Sequence, residues 1–206
     1  MQRTMVKCGL MVALGLSALC ATASTVTLVD TGSTYKYKVI GDLWGSGGSS
    51  WGGVNLATFD NFATANPITG WSTGNSAFGN GSGLPQNTSW VANTDLALQT
   101  TFNLSDMASG LMTLNVASDN GFAIFLNDQL LAKDNAEGYT SIWEYTFSNS
   151  SAYLVQGVNT LKVLAEDHGG ATYFDMKLTA NVPEPGSLAL AGLALLGLGA
   201  ARRRTA

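Results

Sequence analysis

The sequence predicts an all-β fold, an antiparallel β-sandwich, placed between a signal helix at the N-terminus and a transmembrane helix at the C-terminus. Three observations predict it. Apolar and polar residues alternate along most of the middle of the chain, clusters of Gly, Asn, Asp and Ser separate the alternating segments, and long uncharged apolar runs lie at both ends. The predicted segments are residues 1–23, 24–181 and 182–206.

The first segment has the three parts of a secretory signal peptide. Two basic residues precede an apolar run at residues 10–19, and Ala21 and Ala23 provide the small side chains of a cleavage site. We therefore expect an exported protein whose mature chain begins at Ser24. Both cysteines precede this point, so disulfides cannot stabilise the mature chain.

Alternating rows predict seven strands in the middle segment, each flanked by turn-forming residues. They are Tyr35–Ile40, Leu96–Leu104, Met112–Val116, Phe122–Leu126, Ile142–Phe147, Thr160–Ala165 and Ala171–Ala180. Residues 106–109 and 151–155 are predicted to form helical turns, which are too short to connect parallel strands. Antiparallel strands in two packed sheets would bury the alternating apolar faces.

Residues 44–90 are rich in Gly, Ser, Asn and Trp. Tryptophan is usually well buried, and a long loop needs apolar anchors, so anchoring is the more frequent role for such residues. The alternative is that Trp51 and Trp71 offer flat ring faces to sugar rings. These two tryptophans are the candidate glycan-binding residues.

The middle segment is strongly acidic. Between Ser24 and Val182 it has five lysines, no arginine and thirteen Asp and Glu residues. Such a surface repels phosphate backbones, so the sequence predicts no nucleic-acid binding. Neutral glycans, divalent cations or basic partners fit this charge better.

No complete catalytic motif occurs in the sequence. His168 is the only histidine, and no nucleophile elbow, His-Glu-x-x-His motif or phosphate-binding loop accompanies it. We expect His168 to be a loop residue whose replacement by Ala leaves function and stability nearly unchanged. Glu144 and Glu166 are the strand-like glutamates that a glycoside hydrolase would need as a pair. The sequence predicts a protein that is not an enzyme, and a secreted carbohydrate-active enzyme with a carboxylate pair is the alternative.

Four residues in the predicted loops have side-chain oxygens of the kind that bind calcium. Asp119, Asn120, Asp134 and Asn135 are hard oxygen ligands in loops, but the residue spacing of a dedicated calcium loop is missing. Solvation of these loops is therefore the default interpretation. The sequence predicts no cofactor and leaves structural calcium as the alternative.

The last segment has three successive parts. They are Pro183, Glu184 and Pro185, then an apolar run at residues 187–201, then Arg202, Arg203 and Arg204. As a helix the apolar run is about 22 Å long, against a hydrocarbon core of about 30 Å, so it makes a marginal anchor. The arginines mark the cytoplasmic side of the membrane. An ordinary C-terminal anchor is the alternative interpretation.

This tail resembles the PEP-CTERM sorting signal of Gram-negative, exopolysaccharide-producing bacteria. The resemblance implies recognition at Pro183, Glu184 and Pro185, and cleavage there by an exosortase in the inner membrane. It also implies transient anchoring by the C-terminal helix, followed by delivery to the cell surface or extracellular matrix.

The middle segment resembles the galactose-binding-like β-jelly roll, an accessory module of many secreted bacterial proteins and carbohydrate-active enzymes. The resemblance rests on residues 71–104, 116–127 and 154–163. It implies a non-catalytic module, which we expect to hold extracellular polysaccharide or a partner. Asn127 and Asp128 stand where the family usually has Asn-Gly at a hairpin, so the sequence leaves the turn type open.

Overall fold

The computed structural model describes residues 23–42, 51–135 and 142–183, together with the single position 192. Residues Ala23–Pro185 form one compact unit. Apart from Ala23 and position 192, the predicted signal helix and the predicted transmembrane helix lie outside the described residues. Within the described part of the chain, no helix is long and apolar enough to cross a membrane.

The described strands form two sheets. Sheet 1 has the order β10-β7-β12-β4-β5, with β1 also paired to β12, and sheet 2 has the order β3-β2-β6-β11-β8-β9. The strands are β1 (Ala23–Val29), β2 (Thr34–Gly41), β3 (Ser72–Asn75), β4 (Phe78–Asn80), β5 (Thr88–Ser89), β6 (Thr94–Leu104), β7 (Ser109–Asp119), β8 (Phe122–Leu126), β9 (Gln129–Asp134), β10 (Tyr145–Ser150), β11 (Gly157–Ala165) and β12 (Thr172–Pro183). Neighbouring strands are antiparallel except β4 and β5, which are parallel. The predicted two-sheet sandwich is confirmed.

The main core lies between the two sheets. Leu98 and Val163 face it from sheet 2, Leu114 and Phe174 face it from sheet 1, and all four are fully buried. Each belongs to an alternating row, because side chains two residues apart lie on the same face of a strand. Burying one such side chain contributes about 1.5–3 kcal/mol. The alternation in the sequence therefore identifies the faces that drive folding.

A helix that the sequence did not predict covers part of the outer face of sheet 2. Helix α1 (Leu56–Ala65) begins after Asn55, whose side chain accepts a hydrogen bond from the Thr58 backbone N–H. The Thr58 hydroxyl accepts one from the Asn55 backbone N–H in return, which completes a capping box. Phe59, on the buried face of α1, packs in a second core against sheet 2. The all-β prediction is therefore corrected to a mostly β fold.

Two further predictions are corrected at element boundaries. Residues 106–109 form a bend, two irregular residues and the start of β7 rather than a helical turn, and β10 begins at Tyr145 rather than at Ile142. Met107 is 57% exposed, so this segment offers little apolar surface with which to hold a helix against the sandwich. The predicted turn within residues 151–155 is present as a 3-10 helix at Ser151–Tyr153.

The hairpin between β8 and β9 has a defined turn type. Asn127 and Asp128 both have positive φ, at 49° and 65°. Two consecutive left-handed residues are the requirement of a type I′ turn, whose twist matches that of the flanking strands. Asn127 also donates through its side chain to Tyr153 O at 2.9 Å, which ties the hairpin to the 3-10 helix.

Candidate functional site

The predicted processing points of the mature chain lie side by side on sheet 1. Pro183, the last residue of β12, pairs with Ala23, the first residue of β1, and Val182 pairs with Ser24. Val182 is buried, with 7% of its surface exposed. The strand ladder therefore continues up to the first proline of the predicted motif. The remaining predicted processing residues, Ala21, Glu184, Pro185, Arg202, Arg203 and Arg204, lie outside the described residues.

Both candidate stacking tryptophans are buried in the second core. Trp51 is 0% and Trp71 is 5% exposed. The ring of Trp71 lies 6.0 Å from that of Phe59 and 5.7 Å from that of Phe62, and its Nε1 donates to the Asn66 carbonyl at 2.7 Å. In this conformation neither tryptophan presents a ring face to a ligand, and both fasten α1 to sheet 2.

A group of polar residues, here called the acidic end, surrounds the turn between β7 and β8. Its members are Asp119, Asn120, Asp134, Glu144, Glu166, Asp167 and His168. Asn120 N donates to Glu166 O at 2.6 Å, and Glu166 N donates to Gly121 O at 3.0 Å. These two bonds join the β7–β8 turn to the segment after β11. A Cβ atom at Gly121 would lie 2.5 Å from Glu166 Oε1 and 3.1 Å from the Asp134 carbonyl oxygen, so a larger residue here would have to displace the Glu166 carboxylate.

His168 lies against the buried Glu166. Its Nε2 is 3.3 Å from Glu166 Oε2, and the two side chains are 10% and 1% exposed. The His168 backbone N–H donates to Asn120 Oδ1 at 2.8 Å. His168 is therefore more than a solvated loop residue, because it shields a carboxylate that solvent barely reaches.

The other predicted glutamate, Glu144, comes just before β10 and is half-buried. Burial, and after it the charges of Glu144, Asp134 and Asp119, together raise the pKa of Tyr145 to about 12. All three carboxylates therefore raise the pKa of the same hydroxyl group, that of Tyr145. The structure brings Glu144 near two other carboxylates at the edge of the acidic end.

The predicted calcium ligands take part in the local structure. Asn120 Oδ1 receives the His168 hydrogen bond, while Asp134 is the last residue of β9 and Asn135 follows it. Across the described ranges, no group of three or more His, Cys, Asp or Glu side chains has an arrangement that would hold a metal ion. Structural calcium at these residues stays the alternative to the predicted solvation of the loops.

Two buried aspartates were not predicted to matter. Asp167 is fully buried, and its Oδ2 accepts from Asn93 N at 2.6 Å and Gly169 N at 3.0 Å. Burial raises the pKa of the Asp167 carboxyl, and the two backbone hydrogen bonds oppose this effect. Asp175 on β12 is also fully buried. Asn93 is far from Asp167 in the sequence, so no local pattern could have revealed the contact.

Comparison with known proteins adds the following. The family model of the PEP-CTERM protein-sorting motif matches residues 181–204, so the chain carries this motif at its C-terminal end. The motif begins inside β12, two residues before Pro183. No curated protein sequence matches the chain.

Solved structures to which this chain is similar include two PA14 domains. The PA14 sugar-binding domain from an RTX adhesin is 20% identical, with a TM-score of 0.38, and the match covers 74% of this chain and 91% of that one. The PA14 domain of the antifreeze protein MpAFP is 15% identical, with a TM-score of 0.40 and coverage of 80% and 86%. A β-glucuronidase from Ruminococcus gnavus is 9% identical over 79% of this chain, with a TM-score of 0.47, and the match spans only 30% of that enzyme.

Replacement of His168 should destabilise the fold, in contrast to the expectation from sequence. His168→Ala removes a contact to a carboxylate with 1% exposure, and we expect a loss of about 1–3 kcal/mol in the free energy of unfolding. His168→Gln, which keeps a side-chain N–H donor, should recover part of this loss. Urea denaturation of the three proteins measures the effect, and equal midpoints for His168→Ala and wild type would show that the contact is not stabilising.

Asp175 should make stability depend on pH. Burial raises the pKa of its carboxyl above the ordinary value of 3.8, while hydrogen bonds from Thr31, Met176 and Ser76 oppose the shift. Because the folded-state pKa is the higher one, this stability contribution is fully present below the unfolded-state pKa and is lost as pH rises through the folded-state pKa. Asp175→Asn cannot ionise at this position. The melting temperature of the variant minus that of wild type should therefore increase as pH rises from about 4 to about 7. If the difference in melting temperature between the variant and wild type stays constant across this pH range, the raised pKa assigned to Asp175 is wrong.

Proposed function

We propose that this protein is an exported, exosortase-sorted protein of the surface or extracellular matrix of a Gram-negative bacterium, with a non-catalytic sandwich that binds extracellular polysaccharide. The observation that carries the proposal is the PEP-CTERM motif at residues 181–204, which begins inside the last strand of the sandwich. The signal peptide exports the chain, the apolar tail holds it transiently in the inner membrane, and an exosortase cuts at Pro183–Pro185.

The position of the cut relative to the sandwich supports this order of events. Both sheets and their cores are formed by residues 23–183, so cleavage after this point removes no strand and no buried side chain among the described residues. The pairing of β1 with β12 holds both new ends of the mature chain in one ladder. Cleavage therefore releases a folded body.

The environment of Glu166 supports a non-catalytic body. A hydrolytic carboxylate has to reach the glycosidic oxygen or the anomeric carbon of its substrate. The Glu166 side chain is 1% exposed and lies behind His168, so a polymer outside the sandwich has no path to it in this conformation. A secreted carbohydrate-active enzyme using Glu144 and Glu166 remains the second candidate, because both glutamates belong to the acidic end.

A glycan array tests the binding function, with purified residues 24–182 applied with and without calcium. We expect retention of at least one polysaccharide class and no turnover of it. Absence of binding to every glycan would contradict the proposal. Turnover of a polysaccharide that disappears in Glu144→Gln or Glu166→Gln would establish the enzymatic alternative.

The same array separates the two roles proposed for the tryptophans. If Trp51 or Trp71 stacks on sugar, its replacement by Ala removes binding while the melting temperature stays unchanged. If it anchors the loop, as its burial supports, the melting temperature falls.

A further inference from the structure

The outer face of sheet 2 is covered by α1 over only part of its length. Ala97 on β6 and Leu164 on β11 lie in the second core under α1. Two residues away on the same face of these strands stand Gln99 and Lys162, which are paired with each other, and Lys36 on β2 pairs with Gln99 from the other side. Apolar side chains thus give way to polar ones across three neighbouring strands.

We call this uncovered part of the sheet the polar face. Its members are Thr34, Lys36, Thr73, Gln99, Thr101, Thr160 and Lys162, together with Lys38, which pairs with Ala97 at the border of the second core. Two open recesses lie on it, and Gln99 lines both. The first has a volume of about 290 Å³ and is also lined by Lys36 and Thr73. The second has a volume of about 400 Å³ and is also lined by Asn127, by Lys162 and by Asp128, the carboxylate that pairs with Lys162.

Gln99 has an unused hydrogen-bond acceptor at this position. Its Oε1 atom is buried and accepts no hydrogen bond from any described residue. Buried acceptors without a partner are uncommon, because the oxygen loses its hydration without compensation. A hydroxyl group bound in either recess would supply the missing donor.

The polar face also collects most of the positive charge of the body. Three of its five lysines lie there. Lys162 is committed to Asp60 and Asp128, at 2.8 and 2.7 Å. Lys36 donates to the Thr73 hydroxyl at 2.9 Å.

Lys36 and Lys38 differ from Lys162, which pairs with two carboxylates. Within the described ranges, neither Lys36 nor Lys38 forms an ion pair with a carboxylate. On a body with thirteen acidic residues, this face is where an anionic ligand meets uncompensated cations.

We propose that the polar face binds a carboxylated polysaccharide, one that contains uronic acids. Sugar carboxylates pair with Lys36 and Lys38, and a sugar hydroxyl donates to Gln99 Oε1. Threonine and asparagine side chains along the two recesses supply further hydrogen bonds to hydroxyl groups. This assignment rests on the proposed polysaccharide-binding function and names its ligand class and its surface.

The test is titration calorimetry of residues 24–182 with oligogalacturonate and with its methyl-esterified form, which has the same backbone without the charge. We expect oligogalacturonate to bind more tightly, and the difference to shrink at high salt because exposed ion pairs are screened. The double variant Lys36→Gln/Lys38→Gln should bind oligogalacturonate about tenfold more weakly, from two partly exposed ion pairs. Gln99→Leu should weaken binding of both forms.

Lys177 provides the matched control, because it lies on sheet 1 and pairs with Asp30 at 2.9 Å. Lys177→Gln changes the net charge without touching the polar face and should bind oligogalacturonate as wild type does. Equal binding by Lys36→Gln/Lys38→Gln and wild type would overturn the assignment of the face. If the array detects a neutral glycan while oligogalacturonate does not bind, the carboxylated ligand class is wrong and the proposed function stands. If nothing binds in either experiment, both are wrong.

Discussion

Phe174→Ala is expected to lower the free energy of unfolding by about 3–5 kcal/mol, a large fraction of the stability of a single domain. The ring is 0% exposed at the centre of sheet 1, where it pairs with Ser118 on β7 and with Phe78 on β4. Its removal leaves a cavity that strands on both sides cannot close. Chemical denaturation of the purified body measures the loss.

Val158→Ala is the matched control for Phe174→Ala, since Val158 is a strand residue with 65% exposure. Its stability should stay close to wild type. If Phe174→Ala fails to fold, Phe174→Leu keeps the measurement possible, with a smaller loss expected. Equal stability of Phe174→Leu and wild type would contradict the placement of this ring in the core.

The half-buried Phe102 shows how the sequence misjudges individual positions. Its alternating row predicts burial, and Leu98 in the same row is fully buried. Phe102 is only partly buried at the edge of the main core, so Phe102→Ala should cost less than Phe174→Ala. Alternation identifies the face of a strand, while the depth of each residue depends on what the other sheet places above it.

Replacement of Arg202, Arg203 and Arg204 by Ala is expected to leave the protein mis-sorted or retained in the cell. Under the proposed function, the arginines keep the end of the apolar tail on the cytoplasmic side, and the tail is otherwise a marginal anchor. Cell fractionation of the native host with antibody against the body measures the surface fraction. The matched control replaces the three arginines by lysine, which preserves the charge and should preserve sorting. Normal surface delivery of the alanine variant would contradict the role of the arginines.

Much of the sandwich could be predicted because strand patterns are local. The rows that contain Leu98, Leu114 and Val163 place every second side chain in the main core. Helix α1 was not predicted, because the surrounding segment is rich in Gly, Ser, Asn and Trp and was therefore interpreted as a long loop. The capping residues Asn55 and Thr58, followed by apolar residues at helical spacing, were the signal that could have found it.

The candidate sites could be predicted only in part, because some of their contacts join residues that are far apart in the sequence. The sorting motif is contiguous in sequence, so its residues were identified together. The contact between His168 and Glu166 joins residues two apart, but the hydrogen bond from Asn93 to Asp167 spans 74 positions. Gln99 could not be predicted from the sequence, because its neighbours Lys36 and Lys162 are on β2 and β11, which pair with β6 on either side of it.

The intact mass of the protein recovered from the surface or medium of its native host tests the central claim most directly. Removal of the signal peptide and sorting by an exosortase together predict a chain that begins at Ser24 and ends within Pro183–Pro185, which keeps all described strands apart from Ala23 at the start of β1. A surface protein whose mass still includes residues 188–204 would contradict sorting and would show that the tail is an ordinary anchor.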